Sequence, residues 1–165
     1  MTDPAIRLAT RADAEAIRTI YNREVQESTV TFDLVPRTLE EQRRWLAERD
    51  GALGVLVAEL DGRVVGFASL SPWRAKPAYS TSVENSVYVH EAARGLGVGS
   101  RLLEEIVDLA VARGFHTVLA RIVDDHEASI ALHRSVGFEV VGTEKEIGRK
   151  FGRWLDVVVM QRMLT

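Results

Sequence analysis

Ser86-Val87-Tyr88-Val89-His90-Glu91-Ala92-Ala93-Arg94-Gly95-Leu96-Gly97-Val98-Gly99-Ser100-Arg101-Leu102-Leu103 reads in turn as a strand, a glycine loop and a helix. Val87, Tyr88 and Val89 are β-formers. From Leu102 the apolar residues fall at Leu102, Leu103, Ile106, Val107, Leu109 and Ala110, which is helical spacing. Between these segments Gly95, Gly97 and Gly99 alternate with other residues, so backbone N–H groups can crowd together without a Cβ in the way. Added to the positive end of a helix, such N–H groups make an anion site suited to a pyrophosphate. No Gly-Lys-Ser/Thr closes the loop, so it is not a P-loop. A dinucleotide loop needs G-x-G-x-x-G after a first strand, whereas these glycines are spaced two and two in mid-chain. A glycine-rich turn that binds nothing stays open as the plain alternative.

The chain around this stretch has 165 residues, enough to bury a sizeable core, and reads as one domain, 1–165. Its composition, 46% hydrophobic and 27% charged, is that of an ordinary soluble globular protein. A net charge of −3 with mixed signs argues against a nucleic-acid partner. No apolar run approaches the ~20 residues of a membrane span and no signal-peptide pattern opens the chain, so no membrane partner is expected. Cysteine is absent, which removes disulfides, thiol nucleophiles and thiolate metal sites together. A reducing cytoplasm is then the simplest compartment.

Ala5 to Ala9 alternates as a short first strand, and Thr10 with Asp13 gives a capping-box-like helix start. Ile17, Ile20, Tyr21 and Val25 form one apolar stripe. Thr29 to Pro36 is a loop carrying Phe32, and Thr38 with Glu41 starts a second, charged helix anchored by Trp45 and Leu46. Asp61-Gly62 between Gly54–Leu60 and Arg63–Leu70 is the strongest hairpin signal in the chain. A Pro-containing loop, Ser71 to Ser80, precedes the strand that leads into the glycine loop. After the long helix, Gly114 sits where a terminating glycine belongs. Phe115–Ile122 reads as a strand, Ser129–Ser135 as a short helix, and Phe138–Thr143 and Trp154–Met163 as strands. Glu144 to Gly152 reads as a polar excursion between the last two. The order β-α-α-β-β-β-α-β-α-β-β implies a mixed α/β sheet, without fixing its topology.

Arg94-Gly95-Leu96-Gly97-Val98-Gly99-Ser100 resembles the Arg/Gln-x-x-Gly-x-Gly/Ala loop of the GNAT acetyltransferases, which holds the pyrophosphate of acetyl-coenzyme A. The whole chain is collinear with that fold. The resemblance implies an α/β GNAT fold: a mixed, mostly antiparallel sheet with a splayed central strand pair flanked by helices. It implies that the pantetheine arm lies in the gap, against Val87, Tyr88 and Val89, and that the Val89 N–H meets the thioester oxygen as it gains charge.

Acetyl transfer to an amine further needs a group to take the ammonium proton. Glu84 is the only carboxylate on the strand before the loop, and the alternative for it is a solvated glutamate in a salt bridge. Val83-Glu84-Asn85-Ser86-Val87-Tyr88-Val89 resembles the Val-Glu-x-x-Val-Tyr-Val of the phosphinothricin and methionine sulfone/sulfoximine branch, where the glutamate is the base. In that branch Leu-His stands at Leu132-His133, which makes His133 cofactor-lining beside Ser129. The family's cofactor-binding asparagine is replaced here by His126. Trp73-Arg74-Ala75-Lys76-Pro77-Ala78-Tyr79 resembles the acceptor-covering Trp-Lys/Arg-x-Arg/Lys-x-x-Tyr/Phe segment. There Arg74, with a planar fork that matches a carboxylate, is the natural clamp. An exposed basic turn is the alternative. Phe32 resembles the branch's pocket-wall aromatic, and Lys150-Phe151-Gly152-Arg153-Trp154-Leu155-Asp156 matches its methionine sulfone side, with Trp154 reaching the pocket in a homodimer.

The reading is an acetyl-coenzyme A-dependent N-acetyltransferase of a small amino-acid-like acceptor, acting by direct attack and without a metal, since no three or four ligands converge in the sequence. Two rivals remain: a GNAT enzyme of protein N-termini or polyamines, and a non-catalytic coenzyme A-binding module. A polyamine would want an acidic pocket, against which Arg74 and Lys76 argue.

Overall fold

The computed structural model describes residues 3–164; positions 1, 2 and 165 of the expected domain lie outside the described residues. Seven strands, β1 (Ala5–Leu8), β2 (Gly54–Leu60), β3 (Arg63–Pro72), β4 (Ser82–Val89), β5 (Thr117–Val123), β6 (Glu139–Lys150) and β7 (Arg153–Met163), form one sheet in the order β1-β2-β3-β4-β5-β7-β6. Four helices, α1 (Ala14–Glu27), α2 (Leu39–Glu48), α3 (Val98–Ala112) and α4 (Glu127–Ser135), complete the expected element order. Every strand pairing is antiparallel except β4 with β5.

The local signals act as read. The Thr10 and Asp13 side chains form a capping box ahead of α1, and Thr38 Oγ1 accepts the Glu41 N–H at 3.1 Å to open α2. Asp61 and Gly62 both take positive φ, 51° and 77°, as the tight hairpin turn requires. Helices α1 and α2 cover one face of the sheet through Ile17, Ile20, Tyr21 and Val25 against Val57 and Phe67. The other face carries the larger core, where Leu102, Leu103, Ile106 and Val107 of α3 pack against Leu70, Val83 and Val118.

Two boundaries differ most from the sequence reading. Helix α3 begins at Val98, four residues before its apolar stripe declares itself, because Gly97 takes the left-handed conformation (φ 80°) at its N-cap. The expected excursion 144–152 is instead largely strand. β6 runs on to Lys150 and absorbs its glycines in irregularities between Val140 and Gly142 and between Glu144 and Gly148, with Glu146 at φ 48°. Pairing with β7 overrides the weak local propensity of that segment, and a bulge takes up the extra residues.

Candidate active site

β4 pairs with β3 over seven residues, Val83 to Val89, but with β5 over three, Ser82, Val83 and Glu84. Beyond the Glu84–Leu119 pair the two strands part. The His90 N–H donates to the Val65 carbonyl at 2.8 Å, so by antiparallel alternation the N–H groups of Val87 and Val89 point away from β3, into the gap. A cavity of about 610 Å3 fills this gap and runs to the glycine loop. Asn85 to Val89, Arg94, Gly95, Gly97 to Gly99, Ala120 to Val123, His126, Ser129 and His133 line it.

At the open end Gly95 and Gly97 have φ of 79° and 80°, a conformation that a residue with a Cβ adopts only under strain. A Cβ on either would meet nothing within 4 Å, so the requirement is conformational and the loop faces open space. The N-terminus of α3 lies directly behind it, in an arrangement that fits a pyrophosphate. Val98 and Gly99, expected in the loop, line the cavity from the first turn of α3. Leu96 is exposed and Ser100 is half-buried, and neither reaches the cavity wall.

Two cavity residues carry charges that sequence reading did not single out. Glu24 of α1 accepts from Arg94 Nη2 at 2.6 Å and from Ser28 Oγ at 2.5 Å. It lies on the same helical stripe as Ile17, Ile20 and Tyr21, and a carboxylate on a buried stripe was the available signal. Arg121 of β5 donates through Nε to Glu144 at 3.2 Å.

Glu84 is half-buried on the last β4–β5 rung and does not itself line the cavity, its side chain lying on the α1–α2 face together with Ser86 and Tyr88. Burial pushes its pKa above 4.5, while Arg121 and Arg74 pull it back and Glu144 adds to the rise. Arg74 is exposed, its guanidinium 4.9 Å from the ring of Trp73, and Ala75, Lys76 and Tyr79 are exposed beside it. None of these lines the cavity, and neither does Phe32 or Trp154. Phe32 packs its ring over Gly148, which leaves no room for a Cβ. Trp154 is 59% exposed and carries Arg149 at 4.7 Å. Lys150, by contrast, is buried and donates to the carbonyls of Thr31 (2.8 Å) and Glu24 (3.4 Å), which ties the β6–β7 turn to the loop after α1.

His126 precedes α4 half-buried, and burial lowers its pKa, with Glu24 opposing. His133 is 4% exposed: Nδ1 lies 2.8 Å from the Ser129 carbonyl and Nε2 lies 3.2 Å from Asn85 Oδ1. The Asn85 amide, oriented so that Nδ2 donates to the Leu119 carbonyl at 3.3 Å, is 4% exposed as well. Both ring nitrogens thus face acceptors, a pattern an imidazolium satisfies in full, whereas burial pushes the ring's pKa below 6.5. Among the described residues no group of three or more His, Asp or Glu is placed to hold a metal ion, and no helix is long and apolar enough to cross a membrane.

A parted parallel strand pair with a glycine-capped helix at its open end is the site that the GNAT resemblance implies for coenzyme A, and the chain belongs to the GNAT family: the acetyltransferase (GNAT) domain model matches residues 6–159. It is 42% identical over 163 residues to phosphinothricin N-acetyltransferase of Streptomyces coelicolor, covering 96% of this chain and 95% of that one. It is equally, 42%, identical to L-methionine sulfoximine/L-methionine sulfone acetyltransferase of Salmonella typhimurium, over 96% and 94% of the two chains. Two solved structures superpose with a TM-score of 0.95 each. One is described as ribosomal-protein-alanine N-acetyltransferase from Brucella melitensis (45% identity, 96% and 99% coverage). The other is a phosphinothricin acetyltransferase from Sinorhizobium meliloti in complex with acetyl-coenzyme A (38%, 98% and 89%). The protein is an acetyl-coenzyme A-dependent N-acetyltransferase.

Proposed function

We propose that the enzyme acetylates the α-amine of a small amino acid analogue, such as phosphinothricin, methionine sulfoximine or methionine sulfone, with Glu84 as general base. The observation that carries this reading is the position of Glu84: a half-buried carboxylate with a raised pKa on the last β4–β5 rung, next in the strand to the cavity-lining Asn85 and Ser86. A carboxylate tuned upward by burial is a better proton acceptor for an ammonium than a solvated one. The pyrophosphate is held by the N–H groups of Arg94 to Ser100, and the pantetheine arm runs along Val87 to Val89 between β4 and the His126, Ser129 and His133 side of the gap. Glu84 takes the ammonium proton, directly or through water. The neutral amine attacks the thioester carbonyl, whose oxygen takes up charge against the Val89 N–H. The carbon–sulfur bond then breaks, the nitrogen gives up its second proton to the departing sulfur, and coenzyme A leaves as the thiol. Arg74 clamps the acceptor's carboxylate, and Phe32, Trp73, Ala75, Lys76, Tyr79 and Trp154 wall its side chain.

The same reading includes a single domain, a cytoplasmic location and a homodimer.

The Brucella structure supports a second reading, acetylation of a protein's N-terminal alanine. Thiol release from acetyl-coenzyme A, measured with phosphinothricin, methionine sulfone, spermidine and a peptide beginning with alanine, separates the two. We expect turnover with the free amino acid analogues. Turnover with the peptide and none with the analogues would overturn the proposal.

A further inference from the structure

We propose that Arg121, held by Glu144, is a positioning residue that keeps the Glu84 carboxylate charged and ready for the acceptor's ammonium. The inference rests on the reading of Glu84 as the base. Glu84, Arg121 and Glu144 come from three strands and lie along one face of the sheet. Leu119 is the β5 partner of Glu84, and Arg121, two residues on, points to the same side. On β7 Arg121 is paired with Val159 and Val123 with Val157, and Val157 stands beside Glu144 of β6. The Arg121 side chain therefore crosses β7 to reach Glu144. There its Nε and Nη2 donate to the same carboxylate oxygen, Nε at 3.2 Å. Its Nη1 has no acceptor among the described residues, and Arg121 also lines the cavity.

Burial works against a base. Glu84 is half-buried, and burial favours its neutral form, which cannot take a proton. Of the charges that reach it, Arg121 opposes burial most, Arg74 from the exposed loop after β3 adds to that, and Glu144 acts the other way. The β3 partner of Glu84 is the neutral Ser71. Arg49, just after α2, spends Nε and Nη2 on the Ser71 hydroxyl and Nη1 on the Trp45 carbonyl. Arg121 is thus the main counterweight to burial. Glu144 limits it: a carboxylate paired outright with a guanidinium is a weak base, so sharing the arginine leaves Glu84 ionised without spending its basicity.

The test is the pH profile of kcat/KM with whichever of methionine sulfone and phosphinothricin is turned over, since its acid limb reports the base of the free enzyme. Relative to the plateau, Arg121→Gln should lower kcat/KM on the acid limb by about 3–10-fold, the effect of one partly solvated charge near a carboxyl. Glu144→Gln should act with the opposite sign and raise it by about 2–5-fold. Arg121→Lys keeps the charge and should hold the limb close to wild type. The two side chains are 36% and 33% exposed, so these substitutions leave the core intact. A merely structural pair would lower kcat/KM by one factor at every pH, and that result would overturn the inference. Glu84→Gln separates the two levels of the reading. If it abolishes the limb while Arg121→Gln leaves the limb unmoved, this inference alone fails. If the limb survives Glu84→Gln, the base assignment fails and takes this inference with it.

Discussion

The two edges of β4 are made of the same eight residues and do opposite work. Toward β3 the strand is hydrogen-bonded from Val83 to Val89, and Phe67, Tyr88 and Tyr21 meet ring to ring there, with successive centroids 5.2 and 5.3 Å apart. Toward β5 three residues pair and the rest face a cavity. A parallel pair is the weaker kind of ladder, so it is the edge that gives way with least loss. What is lost in backbone pairing on that edge becomes N–H groups available to a ligand. The paired edge holds Glu84 and Tyr88 in place, and the open edge leaves the backbone of Val87 and Val89 facing the cavity.

The largest test of this division falls on Glu84, which stands on the last paired rung. Glu84→Gln should lower kcat by roughly 10²–10⁴ while leaving acetyl-coenzyme A affinity nearly unchanged. Because burial raises this carboxyl's pKa, the folded state binds its proton more tightly than the unfolded state. The ionised form therefore lowers stability as pH rises through that raised value, and Glu84→Gln should melt no lower than wild type at pH 7. Activity has the opposite sign: the wild-type rate should fall as pH drops through the raised pKa, and the variant should lack that acid limb. A variant that loses stability and keeps the limb would make Glu84 a structural residue of the paired edge.

Arg74 tests whether the acceptor enters from the α1–α2 side of the rung. Arg74→Ala should reduce kcat/KM for an amino acid acceptor by about 10–100-fold, the range of a charge-assisted pair lost at an exposed site. Amidating the acceptor's carboxylate should have a similar effect on the wild type and add little in the variant, because groups that touch are not additive. Equal rates with acid and amide in the wild type would remove Arg74 from the acceptor site.

The open edge was legible in the sequence because it is contiguous. Strand, glycine loop and helix start fall within residues 84–103, and Gly95 and Gly97 answer a backbone requirement there that other residues do not meet cheaply. The proposed acceptor side draws on the loop after α1, the segment after β3, β5 and the β6–β7 turn, and spacing along the chain says nothing of such meetings. Phe32 against Gly148 and Lys150 against Thr31 join residues more than a hundred positions apart. Lys150 was visible in a motif, but its burial was not, since it depends on two carbonyls from another element. The strand from Glu144 to Lys150 was hidden for the same reason: its pairing with β7 is tertiary, and its glycines and charges point locally to a loop.

A smaller effect is expected at the far end of the open edge. Gly97 is left-handed with empty space around it, so Gly97→Val should raise the Kd for acetyl-coenzyme A by about 5–30-fold through backbone strain of order 1–2 kcal/mol. Gly97→Asn, which tolerates this conformation better, should recover most of the affinity, measured by calorimetry with coenzyme A. Equal losses in both variants would mean that the loop fails for lack of room at its surface.

The smallest expected effect is also the one that separates backbone from side-chain binding at that loop. Arg94 is the only cation in the motif, but its guanidinium is already committed within the protein, to Glu24 at 2.6 Å and to the Val89 carbonyl at 3.3 Å. With its side chain 55% exposed, the ion pair is screened and contributes little to stability. Arg94→Ala should therefore weaken coenzyme A by less than about fivefold, because the N–H groups do the binding and the arginine serves as a strut between loop and α1. Glu24→Gln should act with the opposite sign. It removes a carboxylate from the cavity wall and frees the guanidinium to meet the phosphates, so coenzyme A should bind a few-fold more tightly. Raising the salt concentration should shrink that gain, since the freed cation faces solvent. Should Arg94→Ala cost far more than Gly97→Val, the loop would be binding through its arginine, and the open edge would owe its ligand to a side chain.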